Sequence, residues 1–262
     1  CYAARVEYMP FASPHRLDRI NRWCSDDTRG LIGQILSEQE FNASALAYLL
    51  NTVYCQAPWS LPFDTRLTPM EPFTLADGTK SERMMMRGCT EAFYMSEQGM
   101  EAVSLSFGKG LYRMVVMMPT GEDSLNVDKL LESLTVERWQ AVRQSMERYV
   151  VSVTLPLFET DSEVDLIGLL RQMGVSTAFA ANSDYSAMLG EEGKTIAFDM
   201  MKQKARIEVS EAGAKAAAAN ISGAATINIG VKIRTFHANR PFVYAIIEDD
   251  SDIIFFVGKY NG

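Results

Sequence analysis

The chain has 262 residues, 47% of them hydrophobic and 22% charged, which is ordinary for a globular protein that can bury a sizeable core. Its 25 basic and 33 acidic residues leave a net charge of −8, and this disfavours nucleic acid or an anionic membrane as a partner, because both repel a net anion. The sequence has no apolar run as long as a membrane helix needs, and its N-terminus lacks the order of a signal peptide. We therefore expect a soluble protein with one large domain or two small ones.

Three segments in the first half of the chain carry clear patterns. Apolar residues recur at helical spacing between Ser13-Pro14 and Gly30, which predicts an amphipathic helix. Residues 44–56 are apolar almost throughout and end in β-branched and aromatic residues, which predicts a strand covered on both faces. Residues 101–107 and 112–119 flank a Gly-Lys-Gly sequence, the pattern of a β-hairpin.

Helical patterns occupy much of the middle of the chain. The apolar spacing of residues 126–148 is helical on both sides of Thr135, which predicts two helices with a break near that residue. A further helix is predicted between an N-terminal cap at Asp161 or Ser162 and a stop at Gly174.

Strand patterns follow or separate these helices. Four segments are rich in β-branched and aromatic residues, and they are 149–159, 203–210, 231–249 and 253–260. A short acidic turn joins the last two. The order of elements indicates the α+β class with much antiparallel sheet.

Cysteine and histidine placement gives no sign of a metal site or of hydrolytic catalysis. All the cysteines lie in the first 89 residues, without a CxxC pair: Cys1, Cys24, Cys55 and Cys89. Buried or free thiols are favoured over a disulfide framework in a domain of this size. The two histidines, His15 and His237, are expected on the surface, and no nucleophile stands with a matching base. We therefore predict no metal, no cofactor and no enzymatic activity.

Five motifs, in the order in which they occur, resemble the C-terminal two thirds of a serpin. They are a strand that leads into a tryptophan (residues 51–64), a strand that ends in Leu-Pro-x-Phe (149–159), a small-residue tract after a strand (208–230), and the Arg-Pro-Phe and Phe-x-Gly-Lys sequences of a C-terminal hairpin (238–260). The resemblance implies the serpin fold, with a large antiparallel central sheet, additional sheets, surrounding helices and a mobile reactive-centre loop. It also implies a single domain over 1–262, a bacterial-type member, and a chain that lacks the N-terminal third.

The resemblance assigns roles to individual residues. Trp59 matches the tryptophan of the breach, Asn51 lies on the strand before it, and Gln203 stands where many serpins carry a histidine in the shutter. The hinge and reactive-centre loop would span 211–231, and the hinge residues are Glu211, Gly213, Ala214, Ala216, Ala217, Ala218 and Ala219. Many serpins carry two acidic residues before the hinge glycine and a threonine or serine after it, whereas this chain has one acidic residue and an alanine.

The small-residue tract also has a physical interpretation of its own. Alternate side chains of a strand face opposite sides of a sheet, so a segment that slides between two existing strands needs small residues on its inward face. Ala214, Ala216 and Ala218 would supply that face, and Lys215 would stay in water. The alternative is a surface alanine helix or a plain flexible loop.

The family mechanism would make the protein a suicide substrate. A protease attacks the exposed loop, and the freed hinge then inserts into the central sheet and traps the acyl-enzyme. Counting from Glu211 places the reactive bond between Ile227 and Asn228, or between Thr226 and Ile227 after a slip of one residue. The target would be a serine or cysteine protease with a small or medium apolar pocket, of elastase-like, subtilisin-like or papain-like type.

The alternative function, the localisation and one surface of the protein can also be predicted. The alternative function is that of a non-inhibitory serpin, which acts as a binding or carrier protein. Extracellular or periplasmic localisation is expected at the level of the family. Because the strand over 44–56 needs cover on both faces, we also expect an exposed apolar face where the N-terminal third belongs.

Overall fold

The computed structural model describes residues 5–10, 13–42, 44–45, 47–97, 99–180, 183–191, 198–214 and 233–262. They form two compact units. The first consists of Cys1–Tyr54 and Asp161–Arg206, and the second consists of Cys55–Thr160 and Ile207–Gly262.

Runs of strands along the chain are separated by helices. The helices are α1 (Arg16–Asp27), α2 (Val127–Glu132), α3 (Val136–Ser145), α4 (Leu166–Gln172) and α5 (Ser186–Leu189). The strands are β1 (Ala47–Tyr54), β2 (Ala57–Pro58), β3 (Met70–Thr74), β4 (Lys80–Glu97), β5 (Met100–Phe107), β6 (Tyr112–Pro119), β7 (Glu147–Pro156), β8 (Phe158–Asp165), β9 (Phe198–Ser210), β10 (Gly213–Ala214), β11 (Ile233–His237), β12 (Phe242–Glu248) and β13 (Ile254–Tyr260).

The first unit packs α1 against a small apolar core. Leu17, Ile20 and Cys24 of α1 are buried there together with Ile35 and Leu36 of the segment that follows. In this unit β1 pairs in parallel with β9, from Ala47 opposite Phe198 to Tyr54 opposite Arg206.

The second unit is built on an eight-stranded sheet. The strand order is β11-β7-β4-β5-β6-β12-β13, and β3 pairs with β4. Its pairs are antiparallel except for β11 with β7. Helices α2 and α3 contribute Val127, Leu130 and Val142 to a core that includes alternate residues of β6 and β12. The other residues of these strands contribute to a larger core that contains Trp59.

Elements with a strong local signal are confirmed. The hairpin of β5 and β6 turns through Gly108 and Gly110, whose φ angles are +51° and +92°. The break between α2 and α3 is also as predicted, because the Thr135 hydroxyl accepts a hydrogen bond from the Arg138 backbone amide at 3.2 Å and so caps α3. The C-terminal strands β12 and β13 form the predicted hairpin.

The predicted helix start at Asp161 or Ser162 is wrong. Strand β8 continues to Asp165, and α4 begins at Leu166, with the Asp165 carboxylate accepting a hydrogen bond from the Ile167 amide at 3.0 Å. The residues before Asp165 are extended because β8 pairs with β9. The first helix likewise begins at Arg16, two residues after Pro14.

The prediction of full cover for residues 44–56 is also wrong. Strand β1 forms over Ala47–Tyr54, but its residues are half-buried or exposed. Leu49 is 39% exposed, and Asn51 is exposed as well.

The cysteines and histidines behave largely as expected. Cys24, Cys55 and Cys89 are free thiols, Cys1 lies outside the described residues, and burial raises the pKa of Cys24 and of Cys55 to about 11. His15 is exposed, and the side chain of His237 is 41% exposed.

Membrane-spanning and metal-binding features are missing from the part of the chain that the structure describes. No helix there is long and apolar enough to cross a bilayer. In the same residues, no three His, Cys, Asp or Glu side chains gather as a metal site requires.

Candidate functional site

The end of β9 is held by backbone hydrogen bonds from a distant part of the sequence. The carbonyl oxygen of Ser210 accepts from the Trp59 indole Nε1 at 2.9 Å, and that of Ala212 accepts from the Trp59 backbone amide at 3.0 Å. Between them, the carbonyl oxygen of Glu211 accepts from the Phe63 amide at 2.9 Å. Three successive carbonyl groups are thus satisfied by residues 59–63, which fixes the path of the chain where it leaves the strand.

Trp59 is fixed in turn by aromatic packing. It is only 4% exposed. Its ring stacks on Phe107 with centroids 4.4 Å apart and meets Phe63 edge-on at 6.0 Å. Because the indole N–H of a buried tryptophan needs an acceptor, the Ser210 carbonyl and the tryptophan specify each other's position.

The acidic side chain of the hinge is also anchored. The Thr68 hydroxyl donates to the Glu211 carboxylate at 2.8 Å. Glu211 is therefore held by residues 63–68 through its side chain as well as its main chain.

After this turn the chain forms the short strand β10, which lies between β9 and β2. Gly213 pairs with Ser210 on one side and Pro58 on the other, and Ala214 pairs with Val209 and Ala57. Both pairings are antiparallel, and Ala214 is fully buried. The first residues after the hinge turn are thus already part of a sheet.

Gly213 occupies a position that a side chain cannot share. Its φ angle is +133°, which L-residues with a side chain rarely adopt. A Cβ atom there would lie 2.3 Å from the Ala57 carbonyl oxygen and 2.6 Å from both the Pro58 Cα and the Trp59 nitrogen. All three are backbone atoms, so they can move away only if β2 moves.

The residues assigned to the shutter lie together in the first unit. Asn51 of β1 is directly opposite Gln203 of β9, and the Asn51 amide donates to the Gln203 side-chain oxygen at 3.0 Å. We call the line of contact between β1 and β9, from residues 47–54 to 198–206, the seam. Since the two strands are direct neighbours over this length, the seam is closed.

The structure brings together two groups of predicted residues. Trp59, Glu211, Gly213 and Ala214 form the first, and Asn51 with Gln203 forms the second. The other hinge positions, Ala216, Ala217, Ala218 and Ala219, and both candidate reactive bonds, formed by Thr226, Ile227 and Asn228, lie outside the described residues.

Several residues that shape these groups were not predicted. Phe63, Thr68 and Phe107 carry no local pattern, because each acts on a partner far away in sequence. The ion pairs beside the seam were also missed, although Lys202, Lys204 and Arg206 alternate on β9 as the acidic residues do on β8. Such complementary alternation is a signal of strand pairing.

The comparison with protein families agrees with this geometry. Residues 1–262 match the family described as Serpin (serine protease inhibitor). The chain therefore belongs to the serpin family, and the expectation that it is not an enzyme is confirmed.

Individual relatives support the same conclusion. Serpin B3 of Homo sapiens is 30% identical over 272 residues, which cover 99% of this chain and 67% of that protein. The leukocyte elastase inhibitor of Sus scrofa is 28% identical over 269 residues, which cover 99% and 70%. The chain spans about two thirds of the length of the relatives that it matches.

Solved structures confirm the α+β serpin fold. The native-state crystal structure of tengpin, a thermophilic serpin, aligns with a TM-score of 0.81 at 23% identity. That alignment covers 95% of this chain and 64% of the tengpin chain.

The crowding around Gly213 gives a direct test of the docked hinge. Gly213→Ala should release β10 from β2, because the new methyl group would collide with backbone atoms. Hydrogen–deuterium exchange of the amides of residues 209–214 should rise by about tenfold or more, which corresponds to a loss of about 1.4 kcal/mol of local stability.

Gly78→Ala is the matched control. Gly78 also has a positive φ angle, +83°, but a Cβ atom there would meet nothing within 4 Å. The control therefore carries backbone strain of about 1 kcal/mol without a collision. Unchanged exchange at residues 209–214 in the Gly213→Ala variant would contradict the docked arrangement.

Proposed function

We propose that this protein is a protease inhibitor that acts as a suicide substrate, with residues after Gly213 inserting as a strand between β9 and β1. One observation carries the proposal. Gly213 and Ala214 already pair as a strand with the end of β9, so insertion would extend an existing pairing and would not require a new one.

The register of β10 supports this proposal. Gly213 faces Ser210 and Ala214 faces Val209, so a continued antiparallel strand would place Ala216 opposite Ile207 and Ala218 opposite Ala205. Ile207 and Val209 are each 2% exposed. Directly opposed residues share a face of the sheet, so the small side chains would lie on the buried face.

Polar residues of the continued strand would also find complementary partners. On the outward face, Lys215 would lie opposite Glu208, which places unlike charges side by side. On the inward face, Asn220 would lie opposite Gln203, where the amide of Asn51 now donates. The tract therefore fits β9 in chemistry as well as in size.

Insertion would have to open the seam. In the same register Ala217 would face Arg206, a position where β1 now pairs through Tyr54. Each further residue of the entering strand would displace one more residue of β1. The barrier to separating the two strands would then set the rate of insertion, as expected for a kinetically controlled fold.

The chemical step would be the first half of ordinary proteolysis. The protease nucleophile would attack the Ile227 carbonyl, and the Asn228 amine would leave with a proton. The Ile227 acyl group would then be an ester or thioester of the protease. Fast insertion would trap this intermediate before water attacks it, and slow insertion would release two cleaved products.

The loop sequence suggests the kind of target. The residues Ala224, Ala225, Thr226 and Ile227 would suit a protease with a small or medium apolar pocket, of elastase-like, subtilisin-like or papain-like type. A trypsin-like pocket is built for a cation that this loop does not offer. We also propose that the protein is a bacterial-type serpin and that it acts outside the cell or in the periplasm.

Mixing the protein with an elastase-like serine protease tests the proposal. A complex that survives boiling in detergent should form, and mass spectrometry should find a released fragment that begins at Asn228. A fragment that begins at Ile227 would move the reactive bond by one residue. Cleaved products alone, at every ratio and with every protease of a panel, would instead favour a non-inhibitory binding or carrier protein.

The inward face of the entering strand can be tested separately. Ala216→Glu should convert the inhibitor into a substrate, because Ala216 would lie opposite Ile207 on the inward face and insertion would bury an unpaired charge. The stoichiometry of inhibition should rise by about tenfold or more, since about 2 kcal/mol or more of burial cost opposes insertion.

Ala217→Glu is the matched control for this substitution, because its carboxylate would lie opposite Arg206. In the proposed register its side chain would face outward, so the stoichiometry should stay close to that of the unaltered protein. Equal effects of the two substitutions would show that the register is incorrect.

A further inference from the structure

Lys202 is a buried cation in the middle of β9. The residue is 6% exposed, and its ammonium group contacts the carboxylates of Glu40 and Glu163, the latter at 2.6 Å. A hydrogen bond from Lys202 is the main reason that the pKa of Glu40 falls to about 2. Burial acts to lower the pKa of Lys202, but hydrogen bonds to Glu163 and Glu40 outweigh it and raise that pKa. Lys202 and Glu40 are therefore charged at neutral pH.

Glu40 belongs to the side of the seam that carries β1. Its carboxylate accepts hydrogen bonds from the Ser37 amide at 2.8 Å and the Ser37 hydroxyl at 2.6 Å. The same turn is tied to β1, because the Asn42 amide donates to the Tyr48 hydroxyl at 2.7 Å. Phe41 also packs edge-on against the Tyr48 ring at 5.8 Å. Phe41 and Asn42 thus attach this turn to β1 directly after Glu40.

Glu163 belongs to the opposite side of the seam. It lies on β8, which pairs with β9. Since β1 takes one edge of β9, β8 takes the other, and β8 would move with β9 if the seam opened. Lys202 therefore has one carboxylate partner on each side of the seam, and only the contact with Glu40 crosses it.

We propose that the contact between Lys202 and Glu40 is a latch that holds β1 against β9 and limits how fast a strand can enter between them. The inference rests on the proposed function, because it concerns the insertion step. In the register given above, Ile221 would pair with Lys202, where Leu50 pairs now. The latch must therefore break before Ile221 can take its place.

Other contacts across the seam are weaker candidates for this control. The amide pair of Asn51 and Gln203 is neutral and exposed, and such hydrogen bonds exchange readily with water. The Lys204 ammonium donates to the Gln34 carbonyl at 3.0 Å and is exposed. The latch differs because it combines full charge with a buried donor, which strengthens the interaction.

Glu40→Gln and Glu163→Gln form a matched pair of variants. Each replaces one carboxylate by an amide of the same shape, and each leaves Lys202 one charged partner, so neither leaves an uncompensated buried charge. Hydrogen–deuterium exchange of residues 48–54 and 200–206 should be about tenfold faster in Glu40→Gln than in the unaltered protein. The same amides in Glu163→Gln should stay within about twofold.

Lys202→Met gives a second test that leaves no cation in the interior. It removes the latch, and its seam amides should exchange at least as fast as those of Glu40→Gln. Equal exchange in Glu40→Gln and Glu163→Gln, or seam amides in Lys202→Met as slow as those of the unaltered protein, would overturn the latch.

A synthetic peptide with the sequence of residues 214–225 separates the latch from the insertion mechanism. If both are correct, the labelled peptide should enter Glu40→Gln about tenfold faster than Glu163→Gln. Equal rates of entry into the two variants would overturn the latch while insertion stands. Faster exchange at the seam of Glu40→Gln, with no entry of the peptide into any variant, would support the latch and overturn the proposed insertion.

Discussion

A β-strand has two edges, and in this protein the use of the β9 edges constrains everything else. β1 pairs with β9 over residues 198–206, and β10 pairs with it at residues 209–210. In the proposed mechanism, β10 would grow along β9 by displacing β1. Sheet hydrogen bonds, which are ordinarily a source of stability, would thus become the barrier to a rearrangement.

The turn after β9 is held by a small number of contacts that would favour the proposed rearrangement. Trp59 is fixed by the Phe107 ring, and it holds the chain through the carbonyl groups of Ser210 and Ala212. Gly213 is the position where backbone meets backbone, so only glycine fits. These contacts direct the chain from the end of β9 into an antiparallel partner of the same strand. The entropic cost of starting a new strand is thereby already met.

The two faces of β9 carry different kinds of side chain. On one face of β9, Lys202, Lys204 and Arg206 are paired with acidic side chains, and on the other face Ile207 and Val209 are buried in apolar surroundings. A tract of alanines after the hinge suits the inward face because it adds little volume to a close-packed layer. In the proposed mechanism, one face of β9 therefore accommodates the small side chains of an entering strand. On the other face, the contact between Lys202 and Glu40 resists the entry of that strand.

The sequence alone predicted the elements whose causes are local. Gly108 and Gly110 set the β5–β6 turn, and Thr135 caps a helix within its own first turn. The end of β8 was misjudged because its extended form depends on pairing with β9, and an acidic residue before an apolar run also looks like a helix cap. The hinge anchors could not be found in this way. Thr68 acts on a residue 143 positions away, and Trp59 on one 151 positions away.

Entry of the loop between β9 and β1 can be seen in a crystal structure of the loop-cleaved protein. We expect a new strand antiparallel to β9, with Ala216 opposite Ile207 and Ala217 opposite Arg206. Asn51 and Gln203 would then be separated by that strand, so the spacing of their strands would double from about 4.8 Å to about 9.6 Å. A cleaved protein in which Asn51 still lies directly opposite Gln203, with β1 and β9 as neighbours, would show that no strand enters there.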